Sequence, residues 1–173
     1  MQVSKSALKS IASTMLALSG MVFLHGAQAA EVGASFEVSA DVQSSCTIRA
    51  TGLAFGTFNP RGATAESTST VTASCTNGTP FSIGLDAGTT AGATTSNRLM
   101  TSTGIADQLR YALFLDAGRT TNWDNLVSLG GTNVITGTGT GADQDFSVFG
   151  RVESGQTVAP AVYADTVTAT IQF

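Results

Sequence analysis

From Glu31 to Gln43 the chain alternates without a break. Val32, Ala34, Phe36, Val38, Ala40 and Val42 are apolar; Glu31, Ser35, Glu37, Ser39, Asp41 and Gln43 are polar, with Gly33 among them. Successive side chains of a strand point to opposite faces, so this pattern gives one apolar face and one wetted face. No turn signal after it pairs it with the next run. Its apolar face therefore has two destinations. One is the core of its own domain, as a first strand. The other is another molecule, as a donated strand.

What precedes this stretch reads as a secretory leader. Lys5 and Lys9 make a positive start, Ile11 to Leu24 is an apolar run, and Ala27-Gln28-Ala29 has the small-x-small form of a cleavage site, which places the cut after Ala29. The run is short and interrupted by Ser and Gly, unlike a spanning helix. No Cys follows the cut, which argues against a lipid anchor. The whole chain carries 8 Lys+Arg against 12 Asp+Glu, a net charge of −4. Both lysines leave with the leader, so six arginines face the same twelve acids and the net charge falls to −6. Such a chain has no basic patch for nucleic acid or for an anionic membrane surface. The single histidine, His25, leaves too. Ser-His-Asp and Cys-His catalysis and a His-containing zinc site are thereby excluded. Cys46 and Cys75 remain; an even count in an exported chain reads as a disulfide.

Thr, Ser, Gly, Ala and Val dominate the rest, and no segment sustains a 3.6-residue apolar period, so the composition is that of strands and turns. Strands are expected at Cys46–Arg49, Leu53–Gly56, Ser67–Cys75, Phe81–Leu85, Arg98–Met100 (a brief edge strand), Gln108–Asp116, Asp145–Val152 and Asp165–Phe173. Turns are expected at Asn59–Gly62, at Thr76–Thr79 as an Asn-Gly hairpin, and around Trp123. Residues 87–97 and 137–141 read as loops. Leu109, Tyr111, Leu113 and Leu115 share a face, and Phe114 and Phe149 on opposite faces suggest that both sides of their strands are partly covered. Short strands with frequent turns suggest a sandwich or small barrel.

Nothing assembles a catalytic or metal-ligating set, and no cofactor is expected. Asp143-Gln-Asp145 lacks the carboxylate spacing of a calcium loop and reads as a solvated turn. Gly137–Gly141 lacks the Gly-Lys-Ser/Thr ending of a phosphate loop. Trp123 with Tyr111 is either a sugar platform or, as the more ordinary reading, a core plug. The alternating C-terminal strand ending in Phe173 resembles that of an outer-membrane barrel, but the chain lacks the long strands and aromatic girdles such a barrel needs.

Read in order, Cys46-Thr-Ile48, Phe55–Pro60, Val71–Pro80, Leu85–Gly88, Arg98–Met100, Leu109–Leu115, Asn122–Asp124, Phe149–Arg151, Gly155-Gln156 and Tyr163–Val167 resemble the spore coat U domain family. The resemblance covers essentially the whole mature chain. It implies an all-β, incomplete immunoglobulin-like sandwich that lacks its last strand and is completed by donor-strand exchange. It implies residues 1–29 as leader, 30–45 as donor strand with Val32, Ala34, Phe36, Val38, Ala40 and Val42 as its inserting face, and 46–173 as the pilin domain. The C-terminal strand, with Val167, Ala169, Ile171 and Phe173, is implied as a chaperone contact. The implied protein is no enzyme. It is a surface pilus subunit that passes through the periplasm, with a periplasmic chaperone, an outer-membrane usher and identical or related subunits as partners, and it supports adhesion and biofilm formation. The alternative is a self-complete secreted sandwich that binds carbohydrate or forms a spore or cell coat.

Overall fold

The computed structural model describes residues 29–125 and 132–173; the expected leader up to residue 28 lies outside the described residues. The chain divides into two units, Met1–Ala40 and Asp41–Phe173. In the first, residues 29–40 belong to no strand, and Val32, Phe36 and Val38 are 94%, 86% and 81% exposed. The reading of 31–43 as the first strand of its own sandwich is therefore corrected. The alternation fixes which face is apolar, but a strand exists only where a neighbouring edge takes up its N–H and C=O groups.

Among its described residues the second unit holds eight strands, β1 (Cys46–Ala50), β2 (Ala65–Cys75), β3 (Pro80–Leu85), β4 (Arg98–Ser102), β5 (Ile105–Phe114), β6 (Ile135–Thr138), β7 (Asp143–Val152) and β8 (Ala169–Gln172). All pair antiparallel, in a five-stranded sheet ordered β1-β2-β7-β5-β4 and a three-stranded sheet ordered β6-β3-β8. This is the immunoglobulin-like sandwich that the resemblance implies, with no helix among the described residues. Its core follows the period-two pattern. Val71, Ala73 and Cys75 of β2, Phe81, Ile83 and Leu85 of β3, Leu109, Tyr111 and Leu113 of β5, and Val148 and Val152 of β7 point inward. On the outer face of the larger sheet, Arg151 lies over Phe114 at 5.7 Å and Arg119 over Phe149 at 5.8 Å. Both arginines reach Glu66 at 3.0 Å, so the outward aromatics are covered by stacked cations.

Four local expectations need correction. Thr76–Thr79 does turn, with the Thr79 N–H donating to Thr76 O at 3.1 Å, but it joins β2 of one sheet to β3 of the other and is a sandwich corner, not a hairpin. Leu53–Gly56 is irregular, although Leu53 and Phe55 still pack on the core. The Gly/Thr stretch near residue 137 is not all loop, since Ile135–Thr138 forms β6. Gly137 is part of that strand because a Cβ there would come within 2.6 Å of Phe81 Cζ, so the glycine marks close packing. Asp143 and Asp145 lie on β7, not in a turn; Asp143 pairs with Arg49 at 2.6 Å and Asp145 accepts from Thr72 Oγ1 at 2.6 Å.

Two large buried side chains fasten the loops. Trp123 is fully buried, and its Nε1–H donates to Ile83 O at 3.0 Å. Arg98, also fully buried, donates to four backbone carbonyls: Asp86 O (2.8 Å), Thr95 O (2.7 Å), Leu85 O (3.0 Å) and Trp123 O (2.8 Å). Burial pulls its pKa below the usual arginine value, but the guanidinium stays charged, as arginine does in proteins. Cys46 and Cys75 are joined by a disulfide, at the first residue pair of the β1–β2 ladder. In the chain-entropy view a bridge closing a loop of this size contributes about 3–4 kcal/mol.

Replacing Trp123 by Ala removes a fully buried ring and its hydrogen bond. The unfolding free energy is expected to fall by about 3–5 kcal/mol, read from urea midpoints at unchanged slope. A loss no larger than that of a surface substitution would contradict the core-plug assignment.

Candidate functional site

The sandwich is open along one side. β1 ends at Ala50, and after Thr51, whose N–H still donates to Thr70 O at 2.9 Å, the chain leaves the sheet. Residues 65–69 of β2 therefore pair only with β7. Across from them, β8 is an edge strand that pairs only with β3. Between these two edges lies a groove of about 1140 Å³. Its floor is core: Val71, Leu85, Leu109, Tyr111, Leu113 and Val148. One wall is the irregular segment carrying Leu53, Phe55 and Phe58. The other is the C-terminal segment carrying Val158, Tyr163, Val167 and Ala169. Walls and floor are mostly apolar, which is the surface a sandwich ordinarily covers with a strand.

The C-terminal wall explains a shorter β8 than expected. Residues 163–172 alternate throughout, with Tyr163, Asp165, Val167, Ala169 and Ile171 half-buried and Ala164, Thr166, Thr168, Thr170 and Gln172 exposed. Yet the ladder to β3 covers only Ala169–Gln172. Before it the backbone is held piecemeal. Ala164 and Thr101 exchange bonds of 2.9 and 3.0 Å, the Asp86 N–H donates to Thr168 O at 3.0 Å, and the Thr168 N–H donates to Asp86 Oδ1 at 2.9 Å. The stretch has strand periodicity and no strand beside it on the groove side.

A polar patch lies on the groove where the C-terminal wall meets its floor. Tyr111 Oη donates to Asp165 Oδ2 at 2.6 Å, and Asp165 Oδ1 accepts from Thr89 N–H (2.9 Å), Thr89 Oγ1 (3.0 Å) and Thr90 Oγ1 (3.4 Å). Burial, reinforced by the adjacent Asp165 carboxylate, pushes Tyr111 well above the ordinary tyrosine range. The Phe55 ring meets Tyr111 edge-on, centroids 6.3 Å apart.

Of the residues singled out from sequence, Val32, Ala34, Phe36, Val38, Ala40 and Val42 are all exposed. Val167 and Ala169 line the groove, Ile171 packs on the core nearby, and Phe173 is 51% exposed just beyond β8. The sugar-platform reading of Trp123 and Tyr111 is corrected, since both are buried. Sequence reasoning missed the strap Val158–Tyr163 and the Tyr111–Asp165 pair. The strap reads as an apolar run (Val158-Ala-Pro-Ala-Val-Tyr163) with no period, and that was its only signal. Among the described residues no cluster of His, Cys, Asp and Glu could hold a metal ion, and no helix is long and apolar enough to cross a membrane.

These features define an all-β sandwich with an unfilled strand position. The chain belongs to the Spore Coat Protein U domain family, whose pattern it matches over residues 32–170. It is 30% identical over 182 residues to "Protein U" of Myxococcus xanthus, covering 97% of this chain and 99% of that one. Among solved structures it is similar to a chain in the CsuC–CsuE chaperone–tip adhesion subunit pre-assembly complex from archaic chaperone–usher Csu pili of Acinetobacter baumannii. The TM-score there is 0.57 at 21% identity; the match covers 76% of this chain but spans only 40% of the length of that chain.

The Tyr111–Asp165 bond gives a pH dependence. A tyrosine whose folded pKa is raised contributes stability that is complete below its unfolded value of about 10 and is lost as pH rises beyond it. Melting temperature should therefore fall as pH rises above about 10, and Tyr111→Phe should flatten that fall. What slope remains belongs to Tyr163, whose pKa is also raised. An unchanged alkaline slope in Tyr111→Phe would contradict the assignment.

Proposed function

We propose that the protein is a structural, non-enzymatic subunit of a surface pilus, joined to its neighbours by donor-strand exchange. One observation carries the reading: a single chain combines an exposed arm with apolar side chains at every second position and a mostly apolar groove flanked by unpaired strand edges. Arm and groove have matching periodicity and chemistry. An arm inserted beside residues 163–172 of another copy would extend their ladder and bury its even-numbered side chains. Burial of Val32, Phe36, Val38 and Val42 is worth roughly 1.5–3 kcal/mol each. Addition of an extended segment to a free sheet edge is an established mode of recognition, in which backbone bonds give affinity and alternate side chains give specificity.

In this reading residues 1–29 direct export, a periplasmic chaperone occupies the groove first, with contacts along Val167, Ala169, Ile171 and Phe173, and an outer-membrane usher is where the arm (30–45) of the next subunit replaces it. Head-to-tail contacts of this kind do not close and give a fibre, here a surface structure for attachment and biofilm formation. The structure of a chaperone–tip adhesion subunit complex with the same fold supports the reading. A coat protein of the same fold is the second reading, supported by the family's description and by the full-length likeness to "Protein U".

An unboiled detergent gel of surface extracts separates the two. Strand exchange predicts a ladder of multiples that boiling collapses. A single Phe36→Asp substitution should abolish the ladder, whereas Ser35→Asp, on the opposite face, should leave it. A monomer band from the unaltered protein, or normal fibres from Phe36→Asp, would overturn the proposal.

A further inference from the structure

We propose that Asp165 and its donors form a latch that holds the C-terminal wall of the groove in position to accept a strand, and that Tyr111, Thr89 and Gly88 are positioning residues for that step. The inference rests on strand acceptance at the groove and adds the device that prepares it.

The wall from Tyr163 to Thr168 has an unusual problem. Its side chains alternate as in a strand, but its ladder to β3 begins only at Ala169, and no strand lies on its groove side. A strand edge beside an apolar hollow gains by collapsing into it, because collapse removes apolar area from water. Backbone bonds hold the wall near its two ends, at Ala164 with Thr101 and at Thr168 with Asp86. Between those points a side chain does the holding. Asp165 lies in the middle of the stretch with its side chain turned inward, and it takes bonds from two separate elements: Tyr111 of β5 at 2.6 Å, and Thr89 of the loop after β3 at 2.9 and 3.0 Å. Bonds to a carboxylate are stronger than neutral ones, and several together fix a side chain geometrically.

The loop is shaped for the same contact. Gly88 has φ +88°, and a Cβ at that position would overlap the Asp165 carboxylate. A short Asx turn, with Asp86 Oδ1 accepting from Gly88 N–H at 2.9 Å, sets this loop, and the same oxygen accepts from Thr168 N–H. The segments Leu85–Gly88, Leu109–Leu115 and Tyr163–Val167 are distant in the chain and meet here.

The latch also leaves the groove ready to be covered. With its oxygens occupied by donors from its own chain, Asp165 asks nothing of the incoming strand. An all-apolar face such as that of Val32 to Val42 can lie over it without stranding an unpaired acceptor, which would otherwise oppose insertion.

The test uses the full mature chain carrying Phe36→Asp, whose own arm is disabled, titrated with a fluorescent peptide of residues 30–45. Tyr111→Phe in that background should weaken peptide binding roughly tenfold and speed amide exchange at 164–168, with exchange in β2 and β7 unchanged. Gly88→Ala, whose Cβ would occupy the place of the carboxylate while the Tyr111 hydroxyl is retained, should do the same. Parental affinity in both variants, even at a lower melting temperature, would overturn the latch and leave strand acceptance standing. Failure of the Phe36→Asp parent to bind the peptide would instead remove strand acceptance itself, and the latch with it.

Discussion

A two-layer sandwich is stable when both inner faces are covered and every strand edge facing the core has a neighbour. This fold meets the first condition with Val71, Phe81, Ile83, Leu113 and Trp123, and fails the second along one side. The failure follows from two strands that stop short. β1 leaves its sheet after five residues, and the C-terminal stretch joins its sheet only over the four residues Ala169–Gln172. Everything peculiar to the structure lies around that opening: an irregular wall with Leu53, Phe55 and Phe58, a wall with strand periodicity but little ladder, and a floor of core residues in reach of solvent.

The loops that frame the opening are held by charge buried without a counter-charge in contact. Arg98 spends its donors on the carbonyls of Leu85, Asp86, Thr95 and Trp123, at and beyond the end of β3 and in the loops beside it. A neutral side chain of that size could not reach so many acceptors from one point, and arginine's rigid fork loses little freedom in doing so. Arg98 and Asp165 thus divide the work at the end of β3: one gathers carbonyls, the other gathers N–H and hydroxyl donors.

How much of this was legible in the sequence depended on whether period two was expressed in side chains or in backbone pairing. β2, β3, β5 and β7 were readable because Val71, Ile83, Leu113 and Val148 alternate with polar residues over buried faces. The stretch 165–173 was readable as a pattern but not as a ladder, since pairing depends on a neighbour that no local signal announces. Residues 31–43 show the same division, with clear alternation and no strand. β6 was hidden because its Gly137 looks like loop until the Phe81 ring above it is known. The polar patch of the groove was hidden because Tyr111 read as one more core residue on its strand and Asp165 as a strand's first polar residue. Their meeting depends on the topology that brings β5 and the C-terminal segment together.

The disulfide has a mechanical consequence. The exposed arm enters the sandwich at Cys46, the first residue of β1, and β1 is an edge strand with five ladder pairs to β2. Tension on the arm would load those pairs one at a time from Cys46, the geometry in which a strand peels most easily. Because Cys46 is bonded to Cys75, the load passes at the first pair into β2, which is held by β7 along nearly its whole length. A pull on this chain therefore meets the hydrogen bonds between Ser45 and Thr76 and then a covalent bond before it can open the β1–β2 ladder, and the strand that carries the load onward lies inside the sheet.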